Sequence, residues 1–189
     1  MKEILYVDLS KQWNDEKENL LPIIEKIFSS GYYVGGKEIE KFEQNIKKII
    51  GTDYAVALNS GTDALTLGLR SLGIKKGDEV ITVPNSFIAT TAAIIHLGAK
   101  PVFVDVLEDQ NIDYKKIESA ITSKTKAIMP VHLTGRVCEI DEIINIAKEN
   151  NLYVIEDAAQ SVCSKYKNKY SGSFGEIGCF STHPLKNLN

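Results

Sequence analysis

Side chains able to do acid–base and nucleophilic chemistry lie at the ends of two short apolar runs late in the chain. The runs span residues 153–155 and 177–180. The carboxylate, amide, hydroxyl and amine that follow them belong to Asp157, Gln160, Ser181 and Lys186. In open α/β sheets, ligands bind outside the carboxyl ends of the strands. The sequence therefore predicts that these groups face one crevice.

This set of groups suits pyridoxal phosphate. The aldehyde of that cofactor needs a lysine amine for a Schiff base, and its ring nitrogen needs a carboxylate that keeps it protonated. Lys186 can supply the amine, and Asp157 can supply the carboxylate. The alternative is that Asp157 caps a helix starting at Ala158, as strand-end acids often do, and that Lys186 is a solvated surface lysine. The residue types alone leave both interpretations open.

Two earlier turns are further candidates. In the sequence Asn-Ser-Gly-Thr-Asp, Gly61 lets the backbone approach a ligand, and the N–H groups of Thr62 and Asp63 face an incoming anion at a helix start. The alternative is an ordinary helix start capped by Ser60, Thr62 or Asp63. Phe87 follows the next predicted strand, where an aromatic residue is usually part of the core.

The segments VIEDAAQS and GSFGEIGCFSTHPLKNLN closely resemble the DegT/DnrJ/EryC1/StrS sugar aminotransferases, which are fold type I pyridoxal-phosphate enzymes. The resemblance runs from VDLSKQW at Val7 to the last residue. It implies a pyridoxal-phosphate site in which Lys186 is the catalytic residue. The other cofactor-binding residues that it implies are Gly61, Thr62, Phe87, Asp157, Gln160 and Ser181.

The same resemblance implies a role for each of these residues. The Gly61–Thr62 turn binds the phosphate, and the Ser181 hydroxyl adds to that site. Phe87 stacks on the ring, and Gln160 lies near the ring hydroxyl. Many relatives have an aromatic residue where this chain has Thr134, so no substrate contact is carried over to that position.

The implied reaction is the amination of a nucleotide-linked keto-sugar, with glutamate as amino donor, in amino-sugar and polysaccharide biosynthesis. The sequence Lys-Asn-Leu-Asn, which begins with the predicted Schiff-base residue Lys186, resembles members that act at C3 of the hexose more than those that act at C4. A pyridoxal-phosphate sugar dehydratase is a related alternative. Its relatives have histidine in place of Lys186, and imidazole cannot form the imine.

The predicted fold is α/β, a three-layer sandwich with a mostly parallel sheet, because short strands alternate with amphipathic helices from Tyr54 onward. One strand is predicted at residues 55–58. The domains expected are an N-terminal helical arm over 1–50 and a pyridoxal-phosphate-binding large domain over 51–189. Relatives continue with another strand and a small C-terminal domain. The chain is therefore expected to be a fragment, a split-gene product or a non-catalytic binding module.

Fold type I enzymes are generally homodimers, and the resemblance implies a homodimer here. The aromatic turn Tyr32–Val34, between two amphipathic helices, fits an interface. The alternative is that this turn folds back on its own sheet.

Composition and short motifs argue against several other classes of protein. The net charge of −3 gives no nucleic-acid signature. Three cysteines without a paired motif indicate reduced thiols and a cytoplasmic protein, and three scattered histidines show no metal-ligand spacing. No secretory signal or membrane span is expected. The P-loop-like sequence from Gly31 to Lys37 is followed by Glu38 instead of Ser or Thr, which argues against a nucleoside-triphosphatase.

Overall fold

The computed structural model describes residues 4–5 and 7–188. Residues 1–3, 6 and 189, which include the outer ends of the two predicted domains, lie outside the described residues. The two domain boundaries therefore stay predictions. Within the described ranges, no helix is both long enough and apolar enough to span a membrane.

A five-stranded parallel sheet forms the centre of the fold, in the order β2-β1-β3-β4-β7. Its strands are β1 Glu79–Thr82, β2 Lys100–Phe103, β3 Thr125–Ile128, β4 Tyr153–Asp157 and β7 Ile177–Cys179. All of β1 and most of β4 are buried, as expected for strands covered on both faces. The carboxyl ends of β4 and β7 are neighbours, because Asp157 pairs with Cys179.

Helices cover both faces of the sheet. On one face, α3 Gly61–Ser71 and α4 Ile88–His96 pack Leu69 and Ile94 against Ile155. On the other face, α5 Ile117–Ala120 and α6 Ile140–Glu149 pack their apolar residues against Val154 and Ile128. The predicted three-layer α/β architecture is thus confirmed. Consecutive residues of β4 point into different layers.

Two long helices precede the sheet. The helix α1 spans Leu9–Ser30, and α2 spans Lys37–Ile50. No described residue of α1 is buried, and Ile50 is the buried residue of α2. The Tyr32–Val34 turn between them is exposed and does not fold back on the sheet. This arm therefore keeps an apolar face uncovered within the described chain.

The predicted strand at residues 55–58 is wrong. The segment is not part of a sheet in the described structure, and its Val56 side chain is 74% exposed. Its backbone is tied to α2, where the N–H of Ala57 donates to Glu43 Oε1 at 2.8 Å. An open groove of about 800 Å³ separates the segment from β7, so no partner strand lies within hydrogen-bonding reach.

A small hairpin was not predicted. It pairs β5 Lys165–Tyr166 with β6 Lys169–Tyr170, and its turn residues Lys167 and Asn168 have positive φ. The turn lacks the glycine that usually marks such hairpins, because Asn takes the left-handed conformation at low cost. All three cysteines are free, as predicted for reduced thiols.

Candidate active site

Asp157 is the best-buried acid at the predicted crevice. It ends β4 and is 4% exposed. Its Oδ2 accepts a hydrogen bond from Thr90 Oγ1 at 2.7 Å, and its Oδ1 accepts one from the N–H of Ala159 at 3.2 Å. Residues 158–164 form turns and not a helix, so Asp157 is not the helix cap of the alternative interpretation.

The surroundings of Asp157 favour a cationic ligand. Burial raises the pKa of Asp157 above its ordinary value, while the hydrogen bonds from Thr90 and Ala159 and the charge of Lys186 act in the opposite direction. A positive group placed against this carboxylate compensates a charge that the fold has moved out of water. A protonated ring nitrogen is such a group.

Lys186 lies within electrostatic reach of the same acid. Its positive charge acts on the Asp157 carboxylate, although 29 positions separate the two residues in the chain. The N–H of Lys186 donates to the His183 carbonyl at 2.7 Å, which closes the predicted turn. The side chain is partly buried and is not a fully solvated surface lysine. The structure thus brings the predicted acid and amine together.

The helix start at Gly61 lies against Ser181. A Cβ built on Gly61 would come within 3.0 Å of Ser181 Cβ and 3.2 Å of its Oγ, so any larger residue would have to displace Ser181 by a few tenths of an ångström. Ser60 is the N-cap and accepts the N–H of Asp63 at 3.0 Å. The Asp63 N–H is therefore not available to an anion, contrary to expectation. The N–H groups of Gly61 and Thr62 lie in the first helical turn, which has no intrahelical acceptors.

Gln160 is fixed by one end of its side chain. Its Oε1 accepts a hydrogen bond from the N–H of Thr134 at 3.0 Å. Thr134 has a φ of 53°, in the left-handed region, so its backbone is turned specifically toward Gln160. The amide nitrogen of Gln160 remains the end that can donate to a ligand.

Phe87 is not a core residue. It is 66% exposed and immediately precedes α4, and its carbonyl accepts the N–H of Thr90. Because Thr90 contacts Asp157, Phe87 lies one helical turn from the acid. An exposed aromatic ring in that place is free to stack on a planar ligand.

Sequence reasoning missed several residues of the site. Thr90 is 1% exposed and links Asp157 to Ser86, whose Oγ lies 2.7 Å from Thr90 Oγ1. His132 and Glu156 are completely buried, with 2.9 Å between His132 Nε2 and Glu156 Oε2. The placement of both residues at strand ends was visible in the sequence, but their pairing needs the β3–β4 register.

The arrangement fits the pyridoxal phosphate that the resemblance implies. The buried acid suits a ring nitrogen, and the Gly61–Ser181 contact leaves a cradle that a Cβ would fill. Lys186 adds an amine within electrostatic reach of the acid. Metal chemistry has no comparable support, since residues 4–5 and 7–188 hold no group of three or more metal-ligating side chains. The groove beside β7 is not lined by Asp157 or Lys186.

Comparison with known proteins identifies the family. Residues 14–189 match the model of the DegT/DnrJ/EryC1/StrS aminotransferase family. The chain is 42% identical over 184 residues to the UDP-N-acetyl-3-dehydro-alpha-D-glucosamine 3-aminotransferase of Acidithiobacillus ferrooxidans, covering 96% of this chain and 50% of that protein.

Two crystal structures show the same fold. Streptomyces venezuelae DesV, in complex with a ketimine intermediate, superposes with a TM-score of 0.95 at 36% identity, covering all of this chain and 51% of DesV. Bacillus subtilis NtdA, with bound cofactor PMP, superposes with a TM-score of 0.93 at 36% identity, covering all of this chain and 43% of NtdA.

The chain thus spans about half the length of the relatives that it matches. The match nevertheless includes every predicted site residue, from Gly61 to Lys186. On the family match and the crystal-structure similarity together, the chain belongs to the DegT/DnrJ/EryC1/StrS aminotransferase family.

Proposed function

We propose that the protein is a pyridoxal-phosphate-dependent aminotransferase that converts a nucleotide-linked keto-sugar to an amino-sugar. The observation that carries this proposal is the buried Asp157 at the end of β4, which lies within electrostatic reach of Lys186 and ends the strand that pairs with β7, next to the Gly61–Ser181 contact. Local sequence alone does not bring the acid and the amine near each other. Their juxtaposition depends on the parallel pairing of β4 with β7.

The proposed roles follow from the geometry. The cofactor, when bound, supplies an aldehyde and an electron-withdrawing ring that accepts electron density from the reacting carbon. Asp157 holds the proton on the ring nitrogen, and Thr90 fixes the orientation of the carboxylate. Gly61, Thr62 and Ser181 bind the phosphate, with the helix start of α3 contributing its dipole.

The remaining roles concern orientation and proton transfer. Phe87 covers one face of the ring, and the Gln160 amide donates toward the ring hydroxyl. Lys186 would hold the cofactor through its Nζ amine and, as a free amine, would move a proton at the reacting carbon.

The substrates are assigned by similarity and by position. A UDP-linked 3-keto-sugar is the class named for the relative from Acidithiobacillus ferrooxidans. Together with the Lys-Asn-Leu-Asn sequence after Leu185, it supports amination at C3. Glutamate is the proposed donor, and the cytoplasm, where nucleotide-linked sugars are made, is the proposed location. NMR of the aminated product distinguishes C3 from C4.

Replacing Lys186 with Ala tests the proposal. The purified full-length protein, incubated with pyridoxal phosphate, is expected to show the absorbance band of a lysine-bound cofactor, and Lys186→Ala is expected to lose it. Lys126, exposed on β3 away from the crevice, gives the matched control Lys126→Ala, which should keep the band. An absorbance band that survives unchanged in Lys186→Ala would contradict the assignment of Lys186 as the cofactor-binding lysine.

The product distinguishes amination from dehydration. With keto-sugar and glutamate, the proposed reaction gives an amino-sugar and 2-oxoglutarate. The presence of Lys186 supports this outcome, since an amine can bind the aldehyde and an imidazole cannot. Recovery of a dehydrated sugar with no amino-sugar contradicts the proposal.

A further inference from the structure

The Glu156 side chain is the most completely satisfied buried group next to the site. It is 0% exposed and projects from β4 to the face opposite Asp157. Its Oε1 accepts the N–H groups of Phe174 and Gly175 at 2.7 and 2.8 Å. Its Oε2 accepts the N–H of Gly172 at 2.7 Å and lies 2.9 Å from His132 Nε2. Four donors thus converge on one carboxylate.

The hydrogen bonds of His132 fix its tautomer. The N–H of Cys138 donates to His132 Nδ1 at 3.2 Å, so Nδ1 carries no proton. Nε2 then carries the proton and donates it to Glu156. Burial opposes ionisation of Glu156, but the hydrogen bonds from His132, Gly175 and Gly172 outweigh it and hold its pKa below the ordinary value. Glu156 is therefore a buried anion oriented by a neutral histidine.

The turn that Glu156 holds is packed tightly against the strand that leads to Ser181. A Cβ on Gly172, whose φ is +80°, would lie 2.3 Å from the Phe180 ring. A Cβ on Gly178 would lie 2.2 Å from the Gly172 carbonyl oxygen. Phe180 directly precedes Ser181, and the Phe180 carbonyl lies against Gly61. Movement of the turn is thus transmitted to the phosphate cradle.

Asp157 is held by different contacts. Thr90 and the N–H of Ala159 bind its carboxylate. Its backbone bonds to the Pro130 carbonyl and to the N–H of His132. None of these bonds involves the side chain of Glu156 or His132. The carboxylate of Asp157 and the turn beside the phosphate cradle therefore have separate side-chain supports.

We propose that Glu156, oriented by His132, is a positioning residue for the phosphate half of the cofactor site. It acts through the Gly172–Gly175 turn on Phe180 and Ser181, and it leaves the Asp157 half of the site in place. This inference rests on the proposed cofactor function. It assigns a specific task to a buried carboxylate and a buried histidine that the proposed reaction does not use.

Two ligands that differ by one phosphate group test the phosphate half of the cofactor site separately from the Asp157 half. Pyridoxamine 5′-phosphate and pyridoxamine bind without a covalent bond to Lys186, so calorimetry on the full-length protein gives the dissociation constant of each. In Glu156→Gln, the new amide nitrogen faces N–H donors and leaves them unpaired. Affinity for pyridoxamine 5′-phosphate should fall about tenfold or more, and affinity for pyridoxamine should change less than about twofold.

Two substitutions of His132 keep the test decisive if Glu156→Gln folds poorly. The Gln amide nitrogen in His132→Gln reaches roughly where Nε2 lies and retains the donor to Glu156. The Asn amide in His132→Asn reaches roughly where Nδ1 lies and retains only the acceptor for Cys138. The affinity for pyridoxamine 5′-phosphate, relative to that for pyridoxamine, should stay unchanged in His132→Gln. In His132→Asn it should fall about tenfold.

Thr90→Val is the control for the other half of the site. It removes a bond to Asp157, so it should weaken both ligands by the same factor. Equal loss of both ligands in Glu156→Gln and His132→Asn, or no loss in either, overturns the inference while leaving the proposed function standing. A native protein that binds neither ligand overturns the proposed function itself.

Discussion

At the scale of single residues, two adjacent carboxylates of β4 have opposite electrostatic environments. Burial raises the pKa of Asp157, and the hydrogen bonds from Thr90 and Ala159 and the charge of Lys186 offset it in part. The pKa of Glu156 is lowered, because its four hydrogen bonds outweigh burial. The strand thus presents one acid that still favours a cationic partner and one that is already satisfied. This difference separates a ligand-binding acid from a structural one.

Glu156 should make stability depend on pH in a defined direction. A carboxyl group whose folded pKa is depressed contributes stability above its unfolded value, about 4.3, and loses it as the pH falls through the folded pKa. Glu156→Gln removes this contribution. The difference in free energy of unfolding between native protein and Glu156→Gln should be largest above about pH 5 and narrow toward about pH 3.

Urea unfolding at a series of pH values measures this difference. Glu142→Gln, on the exposed side of α6, is the surface control and should differ little from the native protein at any pH. Asp157 acts in the opposite direction, since its raised pKa favours the folded state at low pH. A gap between native protein and Glu156→Gln that widens on acidification contradicts the charged, hydrogen-bonded state of Glu156.

Local sequence predicted the ligand-facing residues better than their supports. Asp157 follows an apolar strand, and Gly61 lies in a strand-to-helix turn, so each has a local signal. Thr90 contacts Asp157 across 67 positions, and His132 contacts Glu156 across 24. Such contacts depend on which strands are neighbours and on their register, and no short pattern specifies either.

At the scale of elements, each correctly predicted strand has a paired neighbour. The helix α6 forms over Ile140–Glu149, because its apolar stripe packs on the sheet. Residues 55–58 have an equally apolar pattern, but an extended segment becomes a strand only when a neighbour accepts its hydrogen bonds. Apolar pattern therefore identifies a segment that can pair, and tertiary structure decides whether it does.

The approach of β7 to the Gly172–Gly175 turn requires glycine at position 178. A Cβ on Gly178 would lie 2.2 Å from the carbonyl oxygen of Gly172, and backbone cannot rotate away as a side chain can. We expect Gly178→Ala to lower the free energy of unfolding by about 3 kcal/mol. Thermal or urea unfolding measures the loss.

Gly68→Ala, in the helix α3 that packs on the sheet, is the matched control. Its Cβ would lie 2.8 Å from Ile155 Cδ1, which is the movable end of a side chain. Alanine also favours the helix by about 1 kcal/mol over glycine. We therefore expect Gly68→Ala to change stability by about 1 kcal/mol or less. Equal losses in Gly68→Ala and Gly178→Ala contradict the tight contact between Gly178 and Gly172.

At the scale of the whole molecule, the arm formed by α1 and α2 is the least covered part of the chain. Trp13, Phe28 and Ile39 are 45%, 62% and 42% exposed, and Tyr33 and Val34 of the connecting turn are 65% and 93% exposed. Phe28 and Tyr33 stack edge to face at 5.5 Å, so the aromatic surface is ordered by its own contacts. Monomers rarely expose contiguous apolar surface of this kind.

We propose that a second copy of the chain covers this arm, which makes the protein a homodimer. Aromatic residues with low charge density are typical of the cores of such interfaces, and an isologous contact would bury the same face of both arms.

Light scattering on the purified chain at micromolar concentration should give at least twice the 20.9 kDa of one chain. Phe28→Glu places a buried charge in that interface and should weaken association at least tenfold, by about 1.4 kcal/mol. Tyr153→Glu changes an exposed aromatic residue at the opposite, amino-terminal edge of the sheet and should leave association unchanged. A stable, soluble monomer would contradict the proposed homodimer.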